Sequence, residues 1–202
     1  MSDMLSPTKG NLINLKRSLK LSKLGFELMD RKRNILVREI MPLVEVVKSI
    51  RHQVEEVFKK AYETLKKANL SLGVCDSISK CTQIETGISI KYKSVMGLEI
   101  PKVTLKSTIS TIDYGFLKTD SNFDRTYMAF LKAKKICIIL AELENSIYLL
   151  AKEIKKTKIR ANALENIVIP KIESNIKYIS NSLEEKEREE FSRLKIIKKT
   201  KL

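Results

Sequence analysis

The side chains able to do chemistry in this chain are few and do not gather. His52 is the only histidine, and Cys75, Cys81 and Cys137 stand apart from it in sequence. A zinc site needs three or four such ligands at close spacing, so no metal centre is expected. The cysteines are odd in number and follow no disulfide-framework spacing. That fits a reducing, cytosolic setting in which each is a small apolar residue. Neighbouring carboxylates such as Glu55–Glu56 and Glu189–Glu190 lie in charge runs of the kind that cover a solvated helix face. Neither common Gly-rich phosphate loop occurs. No acid/base pair or activated nucleophile emerges, so no catalytic, cofactor-binding or metal residue is assigned. The chain is expected to be non-catalytic by itself.

Composition narrows the class further. With 43% hydrophobic and 31% charged residues, the chain is not of disordered type. No apolar run reaches the ~18 residues of a membrane span. The opening residues, with Asp3, Pro7 and Lys9, do not form the cationic start and apolar block of a secretory signal. The net charge of +15 divides as +7 over residues 1–70, +1 over 71–121 and +7 over 122–202. Such a balance favours acidic partners: nucleic acid, anionic lipid or an acidic protein wall. The 12 aromatic residues do not interleave with the basic ones as stacking platforms for bases would.

The elements that must position everything else are two long helices. Ser6-Pro7-Thr8 predicts a helix start, with Ser6 or Thr8 as cap and Pro in the first turn. From Leu12 a seven-residue repeat runs through Leu15, Leu19, Ser22, Phe26, Met29, Arg33, Leu36, Ile40, Leu43, Val47, Ile50, Val54, Val57, Ala61, Thr64 and Ala68. A strict 3.5-residue period implies a left-handed supercoil with a partner helix, and about 60 residues make a rod of roughly 90 Å. Arg33, on the seam, is expected to fix register. The exposed faces carry basic pairs such as Lys59-Lys60, Lys66-Lys67 and Lys155-Lys156, which a long coiled coil needs for solubility.

Residues 71–121 break the period. A helical turn or two is expected around Val74–Ile84, followed by a β-hairpin at about 88–103. Ile88, Ile90 and Tyr92 alternate with polar residues, the pattern of a half-buried strand. Gly97, after Met96, turns the chain, and Pro101 ends the pairing or sits on an edge. The second helix is expected to start near Ser121 with Asp124 as its capping-box partner. Its seam runs through Thr126, Ala129, Ala133, Ile136, Leu140, Leu143, Ile147, Leu150, Ile154, Thr157, Ala161, Leu164, Val168, Ile172, Ile176, Ile179 and Leu183. The consecutive steps of four from Leu164 to Ile176 suggest a four-residue insertion that locally unwinds the coil. The fold class is therefore mainly α: an antiparallel two-helix coiled coil, 1–70 with 122–202, and a middle tip segment, 71–121. Pairing residue i with residue ~210 − i brings Pro42 to Pro170, where a shared bend is expected.

Three runs in the last helix carry a more specific likeness: Asn162-Ala163-Leu164-Glu165, Ile169-Pro170-Lys171-Ile172-Glu173, and Glu187-Arg188-Glu189-Glu190-Phe191-Ser192-Arg193-Leu194-Lys195. In order and spacing they resemble the carboxy-terminal helix of the D subunit, the central-stalk component of the A-type/V-type rotary ATPases. Ile159 and Ala161 depart from that pattern, where the family usually has Arg and Val. Pro7-Thr8-Lys9, Leu12, Leu15-Lys16, Leu19-Lys20-Leu21, Gly25 and Lys32-Arg33 resemble its opening, and Val95–Pro101 its middle.

The resemblance implies a rotor axle formed with a small partner, the F subunit. The axle would stand inside a threefold ring of catalytic A and non-catalytic B subunits, and a socket subunit would join it to the membrane rotor ring. Both termini, residues near 10–45 and 165–200, would enter the ring, and the protein would be cytoplasmic, peripheral to the membrane and free of nucleic acid. Lys32, Arg33, Arg160, Asn162, Leu164, Glu165, Pro170, Arg188, Phe191 and Arg193 become candidates for ring contact, and Ile88, Ile90, Tyr92, Met96, Gly97 and Pro101 form the hairpin. Two other readings stay open. One is the γ-type shaft of F-type synthases, which carries a much larger middle domain. The other is a basic coiled-coil adaptor for nucleic acid or an anionic membrane surface.

Overall fold

The computed structural model describes residues 6–75, 78, 80, 87–105 and 114–200. In chain order these form helix α1 (Lys9–Leu72), strands β1 (Ile88–Val95) and β2 (Leu98–Leu105) and a 3-10 turn (Phe116–Lys118). Helix α2 (Ser121–Ala163), a π-helical turn (Leu164–Val168) and helix α3 (Ile169–Thr200) follow. The helical turns expected around 74–84, and Cys81 with them, lie largely outside the described residues. The fold is mainly helical, with the long first and last helices packed on each other and a two-stranded antiparallel hairpin between them in sequence. Two compact units divide it: Met1–Ile35 with Ile154–Leu202, and Leu36–Glu153.

In the first unit the start of α1 packs antiparallel to α3 and the end of α2. Thr8 is the cap: its Oγ1 accepts a hydrogen bond from the Asn11 amide and its carbonyl from Leu12. Pro7 thus precedes the cap instead of entering the first turn. Lys9 meets Glu187 at 2.8 Å and Lys23 meets Glu173 at 2.7 Å, which fixes the register. Both pairs lie some fourteen residues short of the expected 210 − i, because α3 continues past the first turn of α1 to Thr200. The seam residues of this unit are all buried or half-buried, and Thr157, Ala161 and Ile179 are fully enclosed.

In the second unit Leu36, Val47, Ala61 and Ala68 of α1 are buried, as are Thr126, Ala133, Ser146 and Leu150 of α2. Every seam position of this unit is likewise buried or half-buried. Fully burying one such Leu contributes about 1.5–3 kcal/mol, and the repetition of the contact at each turn holds the helices together. Arg51 reaches across to Glu144 at 2.7 Å. Tyr62 sits edge-on to Phe130 with ring centroids 5.8 Å apart.

The α2 cap differs from expectation. Asp120, not Ser121, precedes the first turn, its carbonyl accepting from the Phe123 and Asp124 amides and its carboxylate from the Ser121 amide. That leaves Asp124 free for another partner.

The prolines do not meet. Pro42 lies in the second unit, while Pro170 lies in the first, beside the Lys23–Gly25 stretch. There Lys23 pairs with Glu173, and Leu164 Cδ1 stands 3.9 Å from where a Gly25 Cβ would be. The expected pairing of residue i with 210 − i, which would have set Pro170 opposite Pro42, is thus replaced by pairing with this stretch.

Candidate functional site

Of the residues named as ring-contact candidates, several converge on the π-turn. Here the Ile169 amide donates to the Leu164 carbonyl, five residues back instead of four. Two local causes act together. A strict repeat after Leu164 and Val168 would place the next core residues at 171, 175 and 178, yet Lys171 and Tyr178 are exposed. Ile172, Ile176 and Ile179 take the buried side instead. The seam thus carries one extra residue, not the four-residue insertion expected, and a single π-turn absorbs one residue. The second cause is Pro170, which has no amide hydrogen and whose ring would crowd the carbonyl of Asn166 in a regular helix.

The turn exposes Asn162, Glu165, Asn166, Ile167 and Pro170 on the surface while Leu164 stays half-buried. The motif-bearing runs bracket it on both sides. Arg160 is exposed one turn upstream. Lys32 and Arg33 are half-buried on α1, where Arg33 pairs with Asp30 of its own helix and reaches Asn34. Among the described residues its charge is engaged within its own helix.

Among the described residues the end of α3 beyond Glu187 has no seam partner, and residues 184–199 are exposed throughout. Phe191 is 68% exposed, and Leu194 and Ile197 follow it at steps of three. Arg188 and Arg193 flank them, 3.8 and 4.0 Å from Glu184 and Glu189 in the expected i,i+4 pairs. At the start of this overhang Lys9 and Glu187 perturb each other. The hydrogen bond, then the charge attraction, raises the Lys9 pKa and lowers that of Glu187. Both groups lie in water, so the pair sets register more than stability.

In the second unit the hairpin pairs Ile88 with Leu105, Ile90 with Val103, Tyr92 with Pro101 and Val95 with Leu98. Met96 (φ 51°) and Gly97 (φ 77°) both take positive φ, the condition of a type I′ turn, whose twist suits a two-residue hairpin. The alternation predicted a half-buried β1, yet Ile88, Ile90 and Tyr92 are exposed, Tyr92 by 67%. It is β2 that faces the protein. The Val103 amide donates to Glu142 Oε2 of α2 at 2.9 Å, and Pro101, buried, has no amide to leave unpaired on that edge.

In the same unit, Cys75, Tyr114 and Phe123 form a small core with Leu72, Ile78 and Tyr127 around it. Tyr114 stacks edge-on against Phe123 at 4.9 Å and donates its hydroxyl to Asp124 at 2.6 Å. Burial first, and then this hydrogen bond, pushes the Tyr114 pKa up to about 12. Neither Glu142 nor Tyr114 was singled out from sequence. One partner of the first is a backbone amide, which no residue type advertises, and the second is joined to Asp124 across a loop. His52 is exposed, and among the described residues no group of three His, Cys, Asp or Glu side chains is brought together. Among those residues, too, no helix is long and apolar enough to cross a membrane.

Two long antiparallel helices sharing a seam, with a small hairpin between them, define a helical-hairpin protein. The family profile of the ATP synthase D subunit matches residues 11–199. The chain is similar to the V-type ATP synthase D subunit of Thermotoga neapolitana, 41% identical over 200 residues that cover 96% of this chain and 97% of that one. It is 37% identical to the A-type ATP synthase D subunit of Methanosphaera stadtmanae, covering 98% and 94%. To that of Pyrococcus horikoshii it is 35% identical, covering 96% and 93%. The chain belongs to the family of ATP synthase D subunits, whose members are components of A-type and V-type ATP synthases.

Proposed function

We propose that this chain is the non-catalytic axle of a rotary ATPase, coupling ATP hydrolysis or synthesis to ion translocation. In this reading it pairs with the small F subunit, stands in the threefold ring of A and B subunits, and reaches the membrane ring through a socket subunit. It is peripheral to the membrane on the cytoplasmic side. The observation that carries the reading is the seam. Within each unit, every seam position of both helices is buried or half-buried, which is what a part resisting twist requires. The exposed overhang from Arg188 to Lys199, with Phe191, Leu194 and Ile197 uncovered, supports entry of this end into a surrounding wall.

The mechanism follows from asymmetry. A shaft without threefold symmetry makes different contacts at each of three equivalent catalytic interfaces, and so favours a different conformation at each. Turning it exchanges those preferences. The free energy available is the difference in contact energy between conformations, so exposed residues around the π-turn and the overhang matter more than seam residues. In this reading the hairpin modulates activity and does not hold the axle together, and the exposed Ile88, Ile90 and Tyr92 of β1 support it.

Native mass spectrometry of the complex purified through a tag on this chain tests the reading. One copy with one small partner and three copies each of two large nucleotide-binding subunits is expected. A homodimer alone, or a complex with nucleic acid, would overturn it.

A further inference from the structure

The hairpin divides its side chains between two faces. Residues directly opposite each other share a face, so Ile88, Ile90 and Tyr92 lie with Leu105, Val103 and Pro101, while Lys91 and Lys93 lie on the other face with Lys102. Ile88, Ile90 and Tyr92 are exposed. Lys91, Lys93 and Lys102 are exposed too, and among the described residues no ion pair engages any of them. Lys91 stands directly opposite Lys102, and like charges so placed destabilise a sheet until an anion answers them.

The backbone of β1 is open as well. The described residues form a two-stranded sheet, so β1 has one edge without a neighbouring strand. The two-residue turn makes Val95 and Leu98 a hydrogen-bonded pair, and bonded and non-bonded pairs then alternate along the ladder. Ser94, Tyr92, Ile90 and Ile88 therefore turn their N–H and C=O groups away from β2. The same alternation leaves the amide of Val103, opposite Ile90, available to Glu142. The outer edge of β2 is thus engaged by Glu142 and blunted by Pro101. Among the described residues no further backbone bond engages the outer edge of β1.

We propose that this edge of β1 accepts, as a third strand, an extended segment of a partner protein in which apolar residues alternate with carboxylates. The backbone ladder supplies affinity and the two side-chain rows supply selectivity. Apolar side chains at every second position extend the row of Ile88, Ile90 and Tyr92. The carboxylates between them meet Lys91 and Lys93, about 7 Å apart along the strand. A second copy of β1 is disfavoured, because its lysines would meet these. A membrane surface fits less well, since it takes apolar groups and cations from one side and here they lie on opposite faces. A single-stranded nucleic acid needs aromatic platforms among the cations, and the lysine face has none. The site stands on the hairpin alone and holds whether or not the chain is an axle.

The test is NMR amide exchange on the isotope-labelled full chain with a capped peptide of about eight residues alternating valine with glutamate, long enough to span β1. Exchange should slow by roughly tenfold or more at Ile90, Tyr92 and Ser94. It should change little at Lys91 and Lys93, whose amides already bond to β2. K91E/K93E/K102E, all at exposed positions, should bind this peptide roughly tenfold more weakly and prefer one alternating valine with lysine. Tyr92→Pro removes an outward N–H while sparing the ladder to β2, and should also lose the peptide. Unchanged exchange at Ile90, Tyr92 and Ser94 at the highest soluble peptide concentration overturns the assignment. So does equal slowing by a peptide with the same valines and glutamates in two blocks. Slowing by anionic phospholipid vesicles or duplex DNA, but not by the alternating peptide, overturns it too. Each of these results leaves the axle reading standing.

Discussion

Deleting Pro170 should stabilise this protein, although removing a residue from a packed helix ordinarily does harm. The reason is the extra residue on the seam. Without Pro170, Leu164, Val168 and the residues now at Ile172, Ile176, Ile179 and Leu183 follow steps of four, three, four, three and four. The π-turn then has nothing to absorb. An interior proline costs about 3 kcal/mol through the lost hydrogen bond and the clash with the carbonyl four residues back. The π-turn already relieves part of that clash, so the gain is about 1–2 kcal/mol. Pro170→Ala keeps the extra residue and restores one amide, so it gains only about 1 kcal/mol and retains the turn. Deleting exposed Lys177 is the control of equal size. It swings Ile179, wholly buried, and Leu183 by about 100° off the seam and costs about 2–4 kcal/mol. Amide hydrogen exchange over 164–183, with thermal unfolding beside it, reads all three variants. The Pro170 deletion should slow exchange around 165–169, and the Lys177 deletion should speed it throughout. Equal destabilisation by the two deletions would refute the one-residue skip.

Four further outcomes follow from the second unit. Tyr114 has its pKa raised from 10.0 to about 12, so its contribution to stability is fully present below pH 10 and is lost as pH rises through about 12. Absorbance titration should show a tyrosinate step near 12 that is absent in Tyr114→Phe; the same curve for both proteins would contradict the Tyr114–Asp124 contact. Glu142→Ala removes a charged acceptor worth about 1.5–3 kcal/mol, so the Val103 amide should exchange at least tenfold faster while the α1–α2 seam keeps its protection. Met96→Asn puts a residue that tolerates positive φ in the turn and should stabilise the hairpin by about 1 kcal/mol, measured as slower exchange across β1 and β2. Deleting residues 88–103 should leave assembly of the ATPase intact but change its hydrolysis rate; loss of assembly would refute the modulating role.

Much of the fold was legible because burial here is periodic. Leu36, Leu150 and Ile179, each with no exposed surface, all fall on seam positions read from the three-four spacing alone. Even the polar seam residues Thr126 and Thr157 are buried, which the register required and hydropathy would not have suggested. The hairpin was legible through Gly97 and Pro101, but not which strand faces the protein. Ile88, Ile90 and Tyr92 look like a core face until the Val103–Glu142 hydrogen bond puts β2 inward. The run of fours at Leu164–Ile176 signalled an irregularity. Its size became clear only from which side of the helix Lys171 and Tyr178 occupy. The helix offset was misjudged because nothing in the sequence marks where α3 outruns α1. Arg160, Asn162, Glu165, Pro170, Arg188, Phe191 and Arg193 are exposed around the π-turn and the overhang, while Lys32, Arg33 and Leu164 are half-buried, and a contact made with another protein leaves no trace in the packing of this one.

The measurement closest to the axle proposal is single-molecule rotation. The catalytic ring would be fixed to a surface and a bead attached at exposed Leu117, beside the small Tyr114 core, through an introduced and uniquely labelled residue. With ATP supplied, the bead should turn in one direction in three equal steps per revolution, and Phe191→Ala should alter the torque or stepping rate without stopping assembly. Steady ATP hydrolysis with a stationary bead on a complete complex would contradict the proposal that this chain is the axle.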